Sequence, residues 1–228
     1  LKVSNTLLFC KIFHEDIFEL LIEKILLLRL ADKPMEEDRY LWDEFRNDKG
    51  FALSRIYREN IDFLFSYGKK FSRDEDFILD VIHDLFCDLI KYRKRLGETD
   101  NIRWYLVKSF RRKLLRGIEH KRKSAKVDGD YSLDPQIVFS IEEELITDEM
   151  QERRVKFIRE GLKELSEKQR EVIYYKFTLG YDYFQICEIM SITYESARQL
   201  VSRAVNLLKR YLVENKLFLM MILNLKKN

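Results

Sequence analysis

Residues 181–209, YDYFQICEIMSITYESARQLVSRAVNLLK, constrain the fold more than any other stretch. Apolar side chains recur there at helical spacing twice over, with a short break between the two runs. Tyr183, Ile186, Cys187 and Met190 make one apolar face. Thr193 is placed to cap a second helix, along which Ala197, Val201, Ala204 and Leu208 make another. Cys187 and Ala197 are small enough for the two helices to approach closely. The opposite side of the second helix carries Glu195, Arg198, Gln199, Ser202 and Arg203. Such a pattern suits a helix-turn-helix, in which one helix braces and the other offers a polar face to the major groove. Arginine pairs bidentately with guanine and glutamine with adenine. A plain solvated hairpin has the same periodicity, so the rest of the chain must decide.

That rest is helical in spacing too. With only 7 Gly and 2 Pro in 228 residues, an all-α chain is expected. An apolar share of 46% beside 36% charged residues favours a folded chain over a disordered one. Cys10, Cys87 and Cys187 form no CxxC pair, and His14, His83 and His120 stand apart. That spacing suits a reducing compartment and offers neither a metal site nor a catalytic group. No cofactor is expected. The apolar run at 217–223, LFLMMIL, is far short of the roughly 20 residues a membrane span needs. The expectation is a cytoplasmic protein without membrane insertion.

The organisation follows from composition. The chain begins with Leu and the recognisable pattern starts after Met35, so residues 1–34 read as an N-terminal extension. Residues 36–49 predict a helix with Leu41, Trp42 and Phe45 on one side. Residues 51–71 predict a second, with Leu53, Ile56, Tyr57, Ile61, Phe63, Leu64 and Tyr67 as its core face. Ser72 and Glu75 have capping-box spacing. A third helix, 76–94, is apolar on two adjoining stripes: Phe77, Val81, Leu85, Leu89 and Ile78, Ile82, Phe86. It is either central in a bundle or in contact with a partner.

The charge then segregates. Residues 91–126 hold 14 Lys or Arg against 3 Asp or Glu, and residues 127–152 hold 9 acidic residues and no basic one. The basic stretch contains a helix, 102–118, with Leu106, Phe110 and Leu114 inward and Trp104 and Tyr105 beside the cations. Cations for phosphates and rings for unpaired bases suit nucleic acid. The acidic stretch reads as a linker, 127–148. The last domain, 149–212, opens with Val155, Ile158 and Leu162. It continues through a second capping-box pair, Ser166 and Gln169, to Val172, Ile173 and Phe177, and Gly180 marks a helix end. A tail, 213–228, follows.

In this order the segments resemble an extracytoplasmic-function sigma factor, a small bacterial transcription initiation factor. The likeness covers 35–212. LSEKQREVIYYKF and the helix-turn-helix resemble region four, DVIHDLFCDLI the polymerase-binding helix of region two, and IRWYLVKSFRRKLLR the helix that reads the promoter −10 element. The resemblance implies two small helical domains joined by an acidic linker: a region-two-like domain at 35–126 and a region-four-like domain at 149–212. It implies docking on the β′ clamp of core RNA polymerase through Asp80, Val81, Ile82, His83, Asp84, Leu85 and Phe86, and further contact with the β flap. It places Arg103, Trp104, Tyr105, Lys108, Ser109, Arg111 and Arg112 at the −10 element. Tyr194, Glu195, Ser196, Arg198, Gln199, Ser202 and Arg203 fall at the −35 element. An anti-sigma factor is implied as a further partner. Departures from the family pattern are Ser191 where the turn usually has Gly, Arg112 where Asn is usual, and Leu200 for a frequent Arg. The alternative is a dimeric DNA-binding regulator that works without polymerase, which leaves the Asp80–Phe86 pattern unexplained. A nuclease or recombinase would need clustered carboxylates or a placed nucleophile, and the sequence has no such cluster.

Overall fold

The computed structural model describes residues 35–125 and 159–214. All regular structure among them is helical: α1 (Met35–Arg46), α2 (Gly50–Gly68), α3 (Glu75–Tyr92), α4 (Ile102–Ala125), α5 (Glu167–Ile173), α6 (Tyr183–Met190) and α7 (Tyr194–Glu214). A 3-10 turn, Arg93–Arg95, follows α3, and a π-helical turn, Tyr174–Thr178, continues α5. The expected extension 1–34, the linker 127–148 and the tail from residue 215 lie outside the described residues. The chain divides into two compact units. One contains α1–α4, with which Cys187–Ile192 also group; the other contains α5, the start of α6 and α7.

The first unit is a bundle around α3. Both apolar stripes of that helix are buried: Phe77, Ile78, Val81, Ile82, Leu85, Phe86 and Leu89. Its two-sided apolar character is therefore that of a central helix, with α2 and α4 packed against it. Glycine permits both approaches. A Cβ on Gly68 of α2 would lie 2.6 Å from Ile78, and one on Gly117 of α4 would lie 2.7 Å from the Phe77 ring. Leu41, Trp42 and Phe45 of α1 are buried as expected. Trp42 donates its indole N–H to the Gly97 carbonyl at 2.8 Å, tying α1 to the loop before α4. Of the expected core face of α2, Ile56, Leu64 and Tyr67 are buried, whereas Tyr57 is exposed with its ring against Phe86.

One cap differs from expectation. Ser72 does not cap α3; Asp74 does, accepting from the Phe77 amide at 3.0 Å, while the Ser72 hydroxyl accepts from the Asp74 amide. Aspartate is the stronger N-cap by charge and sits one position before the first helical residue. The start of α4 is capped twice. Asn101 accepts from the Trp104 amide at 2.8 Å. The buried Asp38 of α1 reaches across to accept from the Ile102 amide, also at 2.8 Å. A long-range cap of this kind fixes where α4 begins relative to α1, because a buried amide left without a partner costs about 1–3 kcal/mol.

The second unit rests on α7 packed over α5. Ser166 and Gln169 form the expected capping box, each side chain bonded to the other's backbone amide. Val172, Ile173 and Tyr175 are buried behind it. The buried Glu171 accepts a hydrogen bond from the Tyr175 hydroxyl at 2.6 Å. Gly180 takes a φ of 70° where the helical run ends, the left-handed stop that glycine adopts without strain.

Candidate nucleic-acid interface

Two helices carry the residues expected to meet DNA. In the second unit, Asp182 opens α6 through a reciprocal pair: its carboxylate accepts from the Gln185 amide at 2.8 Å and Gln185 accepts from the Asp182 amide at 2.9 Å. This D-x-x-Q box was readable in the sequence by the spacing that revealed Ser166. In the turn, Ser191 adopts a φ of 55°. It thus takes the left-handed conformation that glycine would supply, at a cost of roughly 1–2 kcal/mol for a side-chain-bearing residue. Thr193 then caps α7, its hydroxyl accepting from the Ser196 amide at 3.2 Å.

Along α7 the amphipathic division is clean. Ala197, Val201, Ala204 and Leu208 are buried, and Tyr194, Glu195, Ser196, Arg198, Gln199, Ser202 and Arg203 are exposed. Gln199 donates to Glu195 at 3.1 Å and accepts from Arg203 at 3.5 Å. A short relay therefore orients the Gln199 amide. Arg198 makes no ion pair or hydrogen bond among the described residues. Tyr194, at the first helical position, lies against Tyr183 and Phe184, with ring centres 5.6 and 5.1 Å away. Phe184 is 71% exposed, an apolar residue the sequence reading did not single out.

In the first unit, α4 buries Leu106, Val107, Phe110, Leu114 and Ile118. Arg103, Trp104, Tyr105, Lys108, Ser109 and Arg111 are half-buried and Arg112 is exposed. Several are held in place. Tyr105 packs 4.8 Å from Trp42. The Lys108 ammonium lies 5.1 Å over the Trp104 ring. Arg103 donates to the buried Asn60 and lies over Phe63. Further along, Lys113 pairs with Asp88 at 2.6 Å and Lys121 with Asp74 at 2.7 Å. The hydrogen bond from Lys121, and after it the Phe77 amide, hold the Asp74 carboxyl below its usual pKa. The α4 helix thus combines cations with rings, as nucleic-acid surfaces do.

The α3 residues expected at a polymerase surface separate into two sets. Asp80, His83 and Asp84 are exposed, whereas Val81, Ile82, Leu85 and Phe86 belong to the unit's own core. The outer face also offers Leu79, 47% exposed, and Ile90, 39% exposed, neither of which periodicity had marked. The His83 Nε2 and Cys87 Sγ lie 3.5 Å apart on that face. Among the described residues no group of three His, Cys, Asp or Glu side chains is placed to hold a metal, and no helix is long and apolar enough to cross a membrane.

The second unit is therefore a helix-turn-helix domain of the DNA-binding type, and the first a helical bundle with a basic, aromatic-flanked helix. Residues 158–208 match the family described as Sigma-70, region 4. The fold is similar to that of CnrH, solved in complex with the cytosolic domain of CnrY, at 17% identity and a TM-score of 0.50, covering 78% of this chain and 98% of that one. It is also similar to the sigma factor RpoE from Bartonella quintana, solved with the anti-sigma factor NepR, at 19% identity and a TM-score of 0.52, covering 71% and 97%. No curated protein matches the sequence significantly. The match at residues 158–208 and the fold likeness to a sigma factor agree with the order of motifs read in the sequence.

Proposed function

We propose that this chain binds core RNA polymerase and directs it to promoters, with α7 reading the −35 element and α4 holding the opened −10 element. The observation that carries the reading is the pairing of a region 4 helix-turn-helix with a separate unit whose basic helix bears half-buried rings. The −35 contact is made by duplex DNA against the exposed face of α7, where Arg198 and Gln199 have the chemistry for base edges. The −10 contact needs one strand unpaired. Unstacking a base costs a few kcal/mol, and the cations and rings of α4 offer neutralisation and stacking in return. Two weak sites on one tethered chain reach useful affinity through effective concentration. Bond chemistry is left to the polymerase.

The polymerase surface of this proposal is the outer face of α3, through Asp80, His83 and Asp84. The buried Val81, Ile82, Leu85 and Phe86 support that face from beneath. An anti-sigma factor is a natural second partner, since the sigma factor RpoE of similar fold was solved with one. The domains that serve these roles are 35–126 and 149–212, joined by the acidic 127–148.

Retention on core polymerase followed by transcription in vitro from a genomic library tests the reading. Asp80→Lys with Asp84→Lys is the informative variant, because both positions are exposed and the fold should survive. Loss of polymerase binding with an unchanged circular dichroism spectrum is expected. Normal transcription by that variant would remove the docking assignment. Failure of the native chain to engage polymerase, with tight binding to a palindrome, would favour a dimeric regulator.

A further inference from the structure

We propose that Arg103 is a fixed stacking plane for an unpaired base of promoter DNA, and that Asn60 and Phe63 are the residues that position it. The inference rests on the reading of α4 as the −10 helix. It begins from a contrast among the arginines of the first unit. Arg55 is held by Glu59 at 2.7 Å and by Glu37; Arg46 by Asp43 at 3.2 Å; Arg39 by Glu98 at 3.4 Å; Arg93 by Asp48. Each of these four is held by a carboxylate, so the contact that fixes the side chain also offsets its charge; Arg58, which donates to the Ser54 carbonyl at 3.4 Å, is exposed.

Arg103 is held differently. Its Nε donates to the Asn60 side-chain oxygen at 3.4 Å, and its guanidinium carbon lies 4.9 Å from the centre of the Phe63 ring. Asn60 is itself fixed: it is 5% exposed, and its amide donates to the Ile56 carbonyl at 2.8 Å. Phe63 is braced by the Tyr67 ring, 6.3 Å away and inclined by 20°. Neither an amide nor a phenyl ring carries charge, and Arg103 makes no ion pair among the described residues. The cation is oriented without being neutralised. The terminal nitrogens make no hydrogen bond among the described residues either, so the fork that pairs with planar acceptors is unused.

A guanidinium held by an amide and a ring has less rotamer freedom left to lose, which removes part of the cost of binding. Its ligand should be planar, to stack on the guanidinium, and should bring negative charge close by. An unpaired base with its phosphate meets both needs, and guanidinium planes stack on splayed bases in other nucleic-acid complexes. Duplex DNA presents base edges and phosphates but keeps its base faces stacked on one another, so it offers a guanidinium plane no open face to stack on.

The test uses holoenzyme reconstituted with core polymerase and promoter probes carrying 2-aminopurine at successive −10 positions. Arg103→Lys keeps the charge and removes the plane; Phe63→Leu keeps an apolar support and removes the ring beneath it. Both should bind the duplex −35 region like the native chain. At one −10 position both should weaken capture of the unpaired base about ten-fold, the loss of one base stack. Urea midpoints near the native value exclude unfolding as the cause. Native behaviour of Arg103→Lys would overturn the proposal, because charge alone would suffice. An equal loss at every position would also overturn it, marking a backbone contact. A native chain that forms no holoenzyme would defeat the underlying reading instead, a result the variants do not imitate.

Discussion

The two helices proposed to face DNA differ in how their polar side chains are held. On α4 the cations and rings are half-buried and tied to neighbours: Arg103 to Asn60 and Phe63, Lys108 to Trp104, Tyr105 to Trp42, Lys113 to Asp88. On α7 the residues from Tyr194 to Arg203 that face outward are exposed; the Glu195–Gln199–Arg203 relay, the Thr193–Ser196 hydroxyl contact and the rings beside Tyr194 restrain part of that face, and Arg198 makes no ion pair or hydrogen bond among the described residues. The difference suits the two tasks proposed for them. Duplex DNA is a rigid template on which mobile side chains find their partners by search. An opened strand has no fixed shape, so the protein must supply the order, and side chains already held lower the entropy of capture.

This comparison breaks first at the core under α4. Phe110 is fully buried and its ring lies 6.0 Å from that of Tyr67. Phe110→Ala should cost about 3–5 kcal/mol, the range for a large buried ring. Both tryptophans of the chain, Trp42 and Trp104, lie in this unit, so urea unfolding followed by tryptophan fluorescence reads it selectively. A small change there would mean that α4 is held by its surface contacts rather than by its buried face.

On α7 the corresponding change is at the surface. Arg198→Ala should lose roughly 1–3 kcal/mol at particular −35 base pairs if the side chain reads a base edge. Binding to a set of single-base promoter variants separates this from a phosphate contact, which weakens all of them equally. The fold should be unaffected, since Arg198 is exposed and its neighbour Ala197 supplies the packing.

The same contrast explains what could be read from the sequence. Periodicity placed the buried faces of α3, α4 and α7, because burial repeats with the helix. Spacing found the Ser166–Gln169 box and the Thr193 cap. It did not find Asp38 capping α4 from 64 residues away, nor Asn60 and Phe63 beneath Arg103, because those contacts belong to tertiary packing and leave no local pattern. The family resemblance grouped Asp80–Phe86 as one docking segment, whereas helical geometry turns four of the seven inward, as the apolar spacing of that helix had allowed. A contiguous segment on a central helix is never all surface. Ser72 lost its capping role to Asp74 for a local reason, since two acceptors competed for one helix start.

A smaller effect tests the turn. Ser191→Gly should stabilise the helix-turn-helix by about 0.5–1 kcal/mol, the relief of a left-handed φ less the entropy that glycine loses on folding. Thermal unfolding followed by far-ultraviolet circular dichroism reads it. A neutral or destabilising result would mean that contacts of the serine side chain compensate the strain, and the turn would then be specified by more than backbone shape.

The smallest effect concerns the far end of α4. Asp74 caps α3 and pairs with Lys121, and its pKa is held below the ordinary 3.8, first by the Lys121 hydrogen bond and then by the Phe77 amide. A carboxyl whose folded pKa is depressed contributes stability above its unfolded pKa and loses it as pH falls through the folded value. Asp74→Asn keeps a competent cap, since asparagine ranks with aspartate at that position, and removes the charge. The native chain should therefore be slightly more stable than the variant at neutral pH, and the difference should vanish as pH falls below 3.8. Because the pair is about half exposed, solvent screens it and added salt should shrink the difference further. A difference that persists in acid would assign the contribution of Asp74 to its hydrogen-bond geometry rather than its charge. The ties along α4 would then be mechanical, as the amide and ring beneath Arg103 are.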